Sequence, residues 1–336
     1  MSTPNVLLVR FSSLGDVLLT TPLIRALRAR HPAATLTALT RQAWAPLLSA
    51  NPNLDQVVSV SPGQALVPLG RAIRAARYTH LLDLQGSVRS RVLRLLVPGP
   101  WTGYDHRRRP RAMLICQHRD TYPDQVPVAE RYFEAAGDLD VRPDQQPADL
   151  YVSPAAEARA EQWLARAGLE GEDRLVGLVP GAAHATKRWP VHHWKELGRS
   201  LRQQGLRFAL VGSAGERVLA TEIADACGCP ETVAAGELDL QAVGALLRRC
   251  QAVVAGDTGP MHMATAVGTP VVALYGPTVR QFGFFPYRAK GVVLEVPLPC
   301  RPCGSKGSSR CPDGHHRCLE DLAPREVAGQ VMAFVA

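Results

Sequence analysis

The sequence predicts an α/β protein built from two Rossmann-like, parallel-sheet domains that face each other across a cleft. Three observations carry this reading. Short apolar runs alternate with amphipathic helical stretches, the rhythm of βαβ units. The rhythm stops at a polar, proline-bearing stretch, residues 138–148, and then restarts. The chain has 336 residues, more than one hydrophobic core usually supports, so two domains of similar size are expected.

In chain order, Asn5–Val9 reads as a first strand and Asp16–Arg30 as a helix with Val17, Leu18, Leu23, Ile24 and Leu27 on its apolar side. Thr35–Thr40 and Gln56–Val60 read as strands, and Gly70–Arg77 as a helix. His80–Asp83 is a short buried strand ending in Gln85-Gly86, and Ser87–Leu96 is a helix. A domain boundary is expected between about 142 and 174, through the helix Pro154–Ala167 and the turn Gly171-Glu172-Asp173. The second half begins with strand Leu175–Val179, then helix Val191–Gln203 with Trp194 and Leu197 facing inward. Strand Phe208–Val211, helix Leu240–Arg248 and strands Ala252–Ala255 and Val271–Leu274 follow. The expected domains are 1–155 and 170–322, with a C-terminal helix over 323–336. In such folds, ligands bind where the loops gather at the carboxyl ends of the strands.

No apolar run reaches the roughly 18 residues that span a membrane. The N-terminal stretch lacks a basic region and a cleavage site, so a cytoplasmic protein is expected. The net charge of +8 is uneven. Residues 1–119 hold 16 Arg, no Lys and four acids (Asp16, Asp55, Asp83, Asp105), a balance of +12, while the remainder is at −4. The runs Arg71/Arg74/Arg77, Arg89/Arg91/Arg94 and Arg107/Arg108/Arg109/Arg111 dominate. Such a surface attracts polyanions: nucleic acid, an anionic membrane face or a phosphorylated acceptor. A solvated helix face is the plainer alternative for any single run. Only 6% of residues are aromatic, without the interleaving that single-strand binders use, which argues against nucleic acid.

Four polar loops follow predicted strands. The most informative lies in V-V-A-G-D-T-G-P-M-H-M-A-T-A-V-G-T-P-V-V-A-L-Y-G-P-T, Val253 to Thr278. Its segment Gly256-Asp257-Thr258-Gly259-Pro260 aims backbone N–H groups and a helix start at a ligand, which suits a pyrophosphate. Asp257 and His262 add polar groups there; a helix cap and a core histidine are the structural alternatives. In P-G-A-A-H-A-T-K-R-W-P, Pro180 to Pro190, Lys187 and Arg188 next to Thr186 could neutralise phosphate charge, with Trp189-Pro190 pinning the loop. Glu216 ends Gly212–Glu216, where an acid can bond ribose hydroxyls. In R-F-S-S-L-G-D-V, Arg10 to Val17, Ser13 and Gly15 let a ligand approach the backbone. Asp16, at the first turn of the next helix, is either a cap or a functional carboxylate. Neither a Walker loop nor G-x-G-x-x-G is present.

A fifth segment, Cys300 to Cys318, reads C-x2-C-x7-C-x6-C with His315 and His316 inside. Cys300, Cys303, Cys311 and Cys318 could close a tetrahedral structural zinc site. Free reduced thiols and a disulfide are the alternatives, the disulfide disfavoured in a reducing compartment. A catalytic metal is not expected here, because a site closed by four thiolates leaves no open position.

These motifs, in this order and nearly end to end, resemble glycosyltransferase family 9, the lipopolysaccharide heptosyltransferases. V-R-F-S-S-L-G-D-V-L-L-T-T-P, D-L-Q-G-S-V-R-S and A-E-R-Y-F carry the likeness through the first half, and the two loops quoted above through the second. The resemblance implies the GT-B fold and inverting transfer of heptose from an ADP-heptose donor to the Kdo or heptose of the inner core. It implies Asp16 as general base, Lys187 as a partner of the donor phosphates and Glu216 as a ribose contact. Thr258 and Gly259 would offer N–H groups, and Asp257 and His262 would line the sugar and phosphate site. Ser13, Gly15, Thr186 and Arg188 join the donor side. Arg89, Arg71 and Arg74 would grip an anionic glycolipid acceptor at the cytoplasmic face of the inner membrane, with peripheral membrane contact and no nucleic acid. No cofactor is expected for the transfer itself. Another nucleotide-sugar enzyme of the same fold, a different transferase or an epimerase, is the alternative reading.

Overall fold

The computed structural model describes residues 3–171 and 174–335. Glu172 and Asp173 of the expected boundary turn lie outside the described residues, as do Met1, Ser2 and Ala336. The chain forms two compact units. One comprises the chain up to Arg108 together with Val126–Tyr151; the other comprises Arg109–Gln125 and the chain from Val152 onward. The sequence gives no sign that Arg109–Gln125 groups with the second unit. The contact behind it is a stacking one, the Arg111 guanidinium lying 5.7 Å from the centre of the Phe282 ring.

In the first unit, β1 (Asn5–Val9), β2 (Thr35–Arg41), β3 (Gln56–Val60), β4 (His80–Asp83) and β5 (Trp101–Gly103) form an all-parallel sheet in the order β3-β2-β1-β4-β5. β1 is central, and Val6, Leu7, Leu8 and Val9 are all buried, as a strand covered on both faces requires. Helices Leu66–Ala75 and Val88–Leu96 set Leu69, Ile73 and Leu93 against Leu7, Val9, Leu39, Val60 and Leu81. The first of them starts four residues earlier than expected. Gly70 lies inside it, where a Cβ would come 3.1 Å from Leu96 Cβ, so this glycine marks a helix crossing and not a helix start.

The single helix expected over Asp16–Arg30 is two helices, Leu14–Leu18 and Thr21–Arg30. Pro22 is the cause. It has no N–H to give Leu18 O, and its ring disfavours a continuous helix through that carbonyl. The Thr21 hydroxyl donates to Leu18 O instead, at 2.7 Å, and the Thr20 hydroxyl donates to Val17 O at 2.7 Å. The short first helix therefore stands free to present Asp16 at the carboxyl end of β1.

In the second unit, β6 (Leu175–Val179), β7 (Arg207–Leu210), β8 (Ala252–Gly256), β9 (Val271–Tyr275) and β10 (Gly291–Glu295) are again parallel, in the order β10-β9-β8-β6-β7. A parallel bridge from Leu210 to Val233 extends the β7 edge. With that bridge the order is the Rossmann one, reversing direction between β6 and β8. The first sheet reverses between β1 and β4. Each reversal leaves a crevice at the carboxyl ends of two adjacent strands, and the polar loops singled out in the sequence sit there.

The second core is built from β6, β7, β8 and β9 with Trp194, Leu197 and Leu201 of helix Val191–Gln203. Val327 and Val331 of the C-terminal helix Pro324–Val335 complete it. Leu197 is fully buried there, so Leu197→Ala should destabilise the protein by about 2–5 kcal/mol. Urea unfolding followed by tryptophan fluorescence, which reads Trp194 on the same helix, measures it.

Candidate active site

At the first crevice, the chain leaves β1 at Arg10 and turns into the helix Leu14–Leu18. Phe11 N and Ser12 N donate to Gln85 Oε1, at 2.9 and 3.1 Å, which ties this loop to the one leaving β4. The Arg10 guanidinium pairs with Asp16 Oδ1, donates to Leu84 O and lies 5.6 Å from the centre of the Tyr132 ring. Burial opposes the Arg10 charge, but Asp16, Tyr132 and Tyr104 together outweigh it and hold the guanidinium pKa above its ordinary value. Burial lifts Tyr132 well above the usual phenol range, so it packs there as a neutral ring.

Asp16 also caps its own helix, Oδ2 accepting from Ser13 N at 2.9 Å and from Ser13 Oγ at 2.6 Å. The cap and the functional carboxylate, posed as alternatives by the sequence, are compatible. A carboxylate has about four lone-pair sites; two on Oδ2 and one on Oδ1 are engaged, leaving one on Oδ1. Its side chain is 13% exposed, enough to meet a ligand. Ser13 is exposed and Gly15 buried. Arg89 reaches back over the same loop, 5.5 Å from the centre of the Phe11 ring.

At the second crevice, Lys187 Nζ donates to Asp257 Oδ2 at 2.7 Å and to Asp257 O at 2.8 Å. Thr278 Oγ1 donates to the same Asp257 Oδ2 at 2.6 Å. The loops leaving β6, β8 and β9 thus converge on one carboxylate. Thr258 stands at the N-cap position of the helix Gly259–Ala266 without a side-chain capping bond, its hydroxyl donating to Gly256 O at 3.3 Å, and the helix's first-turn N–H groups have no acceptor within the helix. An ammonium and a helix start side by side form an anion site. Gly256 is needed here: a Cβ would come 3.1 Å from Lys187 O.

Glu216 closes the other side. Its Oε2 accepts from Ser213 N at 2.7 Å and Ser213 Oγ at 2.8 Å, and its Oε1 lies over Gly181. A Cβ at Gly181 would sit 2.0 Å from that oxygen, and one at Gly212 3.1 Å from Oε2. His262 is 4% exposed, held within its helix. Arg188 is exposed and folds back, Nε donating to Ala182 O at 2.8 Å. Trp189 does pin the loop: its Nε1 donates to Leu322 O at 3.0 Å and its ring meets Trp194 edge-on at 5.1 Å.

The cysteine loop, far from Lys187 in sequence, packs against the Lys187 loop. Thr186 N donates to Ser308 O at 3.1 Å, and Ser308 N donates to Thr186 Oγ1 at 2.8 Å. His316 Nε2 is 3.0 Å from Thr186 O. Arg301 donates to Gly276 O at 2.5 Å and Thr278 O at 2.8 Å, and Cys303 N to Pro277 O at 3.1 Å. All eight cysteines are free thiols. Among the described residues, the grouping in this loop whose ligand atoms all lie within 4.8 Å of one another is Cys300, Asp313 and His315, and not the four cysteines expected from their spacing. Burial, then the neighbouring thiols led by Cys300, pushes Cys303 up to about 12; burial and the nearby Cys311 and Cys300 push Cys318 up to about 11.

The structure revises one sequence reading. The Arg107–Arg111 run is not a free basic surface: Arg107 pairs with Asp105 at 2.8 Å and reaches Glu134 at 3.8 Å, and Arg108 donates to Gly86 O at 2.7 Å. Arg71 and Arg74 instead stand exposed on the helix Leu66–Ala75. Arg10, Gln85, Thr278 and Arg301 escaped the sequence reading. Gln85 and Thr278 did carry a signal, each in a turn straight after a predicted strand.

Two Rossmann-type sheets, each with a polar cluster at its reversal point, define a glycosyltransferase of the GT-B class. The chain belongs to glycosyltransferase family 9 (heptosyltransferase), whose model matches residues 66–312. It is 28% identical over 349 residues to lipopolysaccharide heptosyltransferase 2 of Salmonella typhimurium, covering 99% of both chains. It is 27% identical to the solved ADP-heptose lps heptosyltransferase II of E. coli, with a TM-score of 0.75 over 98% of both chains. Its fold also matches that of a glycosyl transferase family 9 structure from Veillonella parvula, with a TM-score of 0.82 at 22% identity, covering 100% of this chain and 98% of that one.

The close approach at Gly181 makes a direct test. Gly181→Ala should displace Glu216 and lower both nucleotide affinity and Tm, whereas Gly137→Ala, where a Cβ meets nothing within 4 Å, should leave both in place. Thermal melts with and without ADP compare the two.

Proposed function

We propose that this enzyme transfers heptose, with inversion, from ADP-heptose to the Kdo or heptose of the lipopolysaccharide inner core. The observation that carries the reading is the Lys187–Asp257–Thr278 node beside the start of helix Gly259–Ala266, a preformed diphosphate site. Full-length likeness to lipopolysaccharide heptosyltransferase 2 supports it. In the reaction, the acceptor oxygen forms a bond to the anomeric carbon as the bond from that carbon to the ADP oxygen breaks. The acceptor proton passes to Asp16 Oδ1, whose remaining lone pair is available. The charge gathering on the departing ADP is met by Lys187 and by the N–H groups of Thr258 and Gly259. Glu216 takes the ribose hydroxyls, Asp257 and His262 support the sugar and phosphate side, and Ser13, Gly15, Thr186 and Arg188 complete the donor contacts. These groups meet the leaving charge without a metal.

Asp16→Asn keeps the Ser13 cap geometry but removes the base. Transfer should fall by about 10²–10⁴-fold, while ADP binding stays unchanged. Full transfer by this variant would remove Asp16 from the role.

The acceptor is an anionic glycolipid, so the enzyme works peripherally at the cytoplasmic face of the inner membrane. Arg89, with Arg71 and Arg74, meets its acidic groups. Residues 56–104 support this: they carry six Arg and a single acid, Asp83, which is buried. Val88, Val92 and Leu95 form an exposed apolar stripe on the helix Val88–Leu96, flanked by exposed Arg91 and Arg94. No described helix is long and apolar enough to cross a membrane. Vesicles containing phosphatidylglycerol should sediment the protein in a salt-sensitive way and phosphatidylcholine vesicles should not. Leu95→Asp should lose sedimentation and keep transfer to a soluble acceptor; sedimentation unchanged in that variant would remove this face from the account.

A further inference from the structure

The loops of the second unit leave its sheet in an order that matches a nucleotide sugar laid end to end. The strands run β10-β9-β8-β6-β7, all parallel, so every strand-end loop opens on one edge. Glu216, over Gly181, follows β7. Lys187 and Asp257 follow β6 and β8, in the middle. Thr278 follows β9, and the cysteine loop follows β10. The polar part of such a donor is linear: ribose, diphosphate, sugar. With the ribose on Glu216 and the diphosphate at Lys187, the sugar falls on the β9–β10 side, where the cysteine loop stands.

That loop lies directly against Lys187. Gly307, at φ +88°, sits so close that a Cβ would come 3.2 Å from Lys187 Cγ and 3.1 Å from Thr186 Oγ1. Next to this contact a cavity of about 370 Å³ separates Ala185 and Thr186 from Ser309, Arg310, Cys311 and His316. Its size suits a small-molecule group, and its lining mixes donors with acceptors. The Thr186 hydroxyl is spent on Ser308, donating to Ser308 O and accepting from Ser308 N. His316 holds a left-handed conformation, φ +49°, that sets Nε2 3.0 Å from Thr186 O. A carbonyl only accepts, so in the neutral ring Nε2 carries the proton and Nδ1 is left as an acceptor. The Ser309 hydroxyl and the Arg310 guanidinium are exposed and have no partner among the described residues. A guanidinium, a hydroxyl and an imidazole acceptor around one cavity match the neighbouring hydroxyls of a sugar.

We infer that this cavity is the subsite for the sugar of the donor, and that Arg310 and Ser309 of the cysteine loop set donor-sugar specificity. The assignment rests on ADP-heptose as the donor. The guanidinium donates to sugar hydroxyls, Ser309 donates and accepts, and Ala185 and Cys311 give the ring a less polar wall. A site that hydrogen-bonds a substrate's hydroxyls rejects analogues that lack them. Glu216 and Lys187 then read the ADP, and the cysteine loop reads what ADP carries.

The test compares ADP with ADP-heptose on the full chain. Calorimetry gives the ADP Kd, and steady-state transfer to a saturating deacylated inner-core acceptor gives kcat/KM for ADP-heptose. Arg310→Ala should lower that kcat/KM by about 10- to 100-fold and leave the ADP Kd and the acceptor KM unchanged. Ser309→Ala should act in the same direction with a smaller fall. Ala185→Trp fills the cavity from its exposed rim and should lower kcat/KM at least as far as Arg310→Ala, with ADP binding kept. Lys306→Ala removes the same charge from the same loop, exposed and outside the cavity lining, and should change nothing. Wild-type kcat/KM in both Arg310→Ala and Ala185→Trp overturns the subsite and leaves the transfer reading standing. An ADP Kd weakened by Arg310→Ala as much as kcat/KM overturns it too, since the cavity then holds the nucleotide. A change confined to the acceptor KM, or an equal fall in Lys306→Ala, likewise overturns it. A wild-type chain that binds ADP and transfers no heptose overturns the ADP-heptose reading, and this assignment with it.

Discussion

The second unit depends on one ion pair. Lys187 comes from the loop after β6, Asp257 from the loop after β8, and Thr278 from the loop after β9; all three meet at Asp257 Oδ2. With side chains only 14% and 10% exposed, neither charge tolerates loss of the other well. The pair therefore fixes three loops at once and leaves a pre-oriented ammonium beside a helix start.

In the proposed reaction the first unit supplies the base. For that role Asp16 has to be anchored yet keep one acceptor position open. Pro22 ends the helix Leu14–Leu18 early, Ser13 holds Oδ2, and Arg10, wedged against Tyr132, holds Oδ1 from one side. In both units the working group sits where a parallel sheet reverses its strand order, because only there do two neighbouring strand ends diverge and leave room.

Much of this was legible in the sequence, for physical reasons. Of the ten strands among the described residues, eight announce themselves, most because a strand buried on both faces must be apolar throughout, and the half-exposed β3 by its Val57-Val58 pair. β5, of three residues, and β10, partly exposed, do not, since neither presents a long buried run. The broken helix at Pro22 was legible in principle but hidden by the apolar periodicity that continues across it. Asp16, Lys187, Glu216 and Asp257 stood out because each follows a strand in a glycine-bearing turn. Their pairings did not: Arg10 to Tyr132, Lys187 to Asp257 and Thr186 to Ser308 are contacts between distant stretches, and no local spacing encodes them. The cysteine loop shows this most plainly. Its cysteine spacing is read along the chain, whereas its seat on the Lys187 loop is a tertiary fact.

The account turns on the crevice at Lys187 being a site for an adenine nucleotide diphosphate. Calorimetric titration of the wild-type protein with ADP, UDP and GDP, with no added divalent cation, tests that directly. ADP should bind, and bind more tightly than UDP or GDP. Binding of none of the three, or equal binding of all, would contradict it.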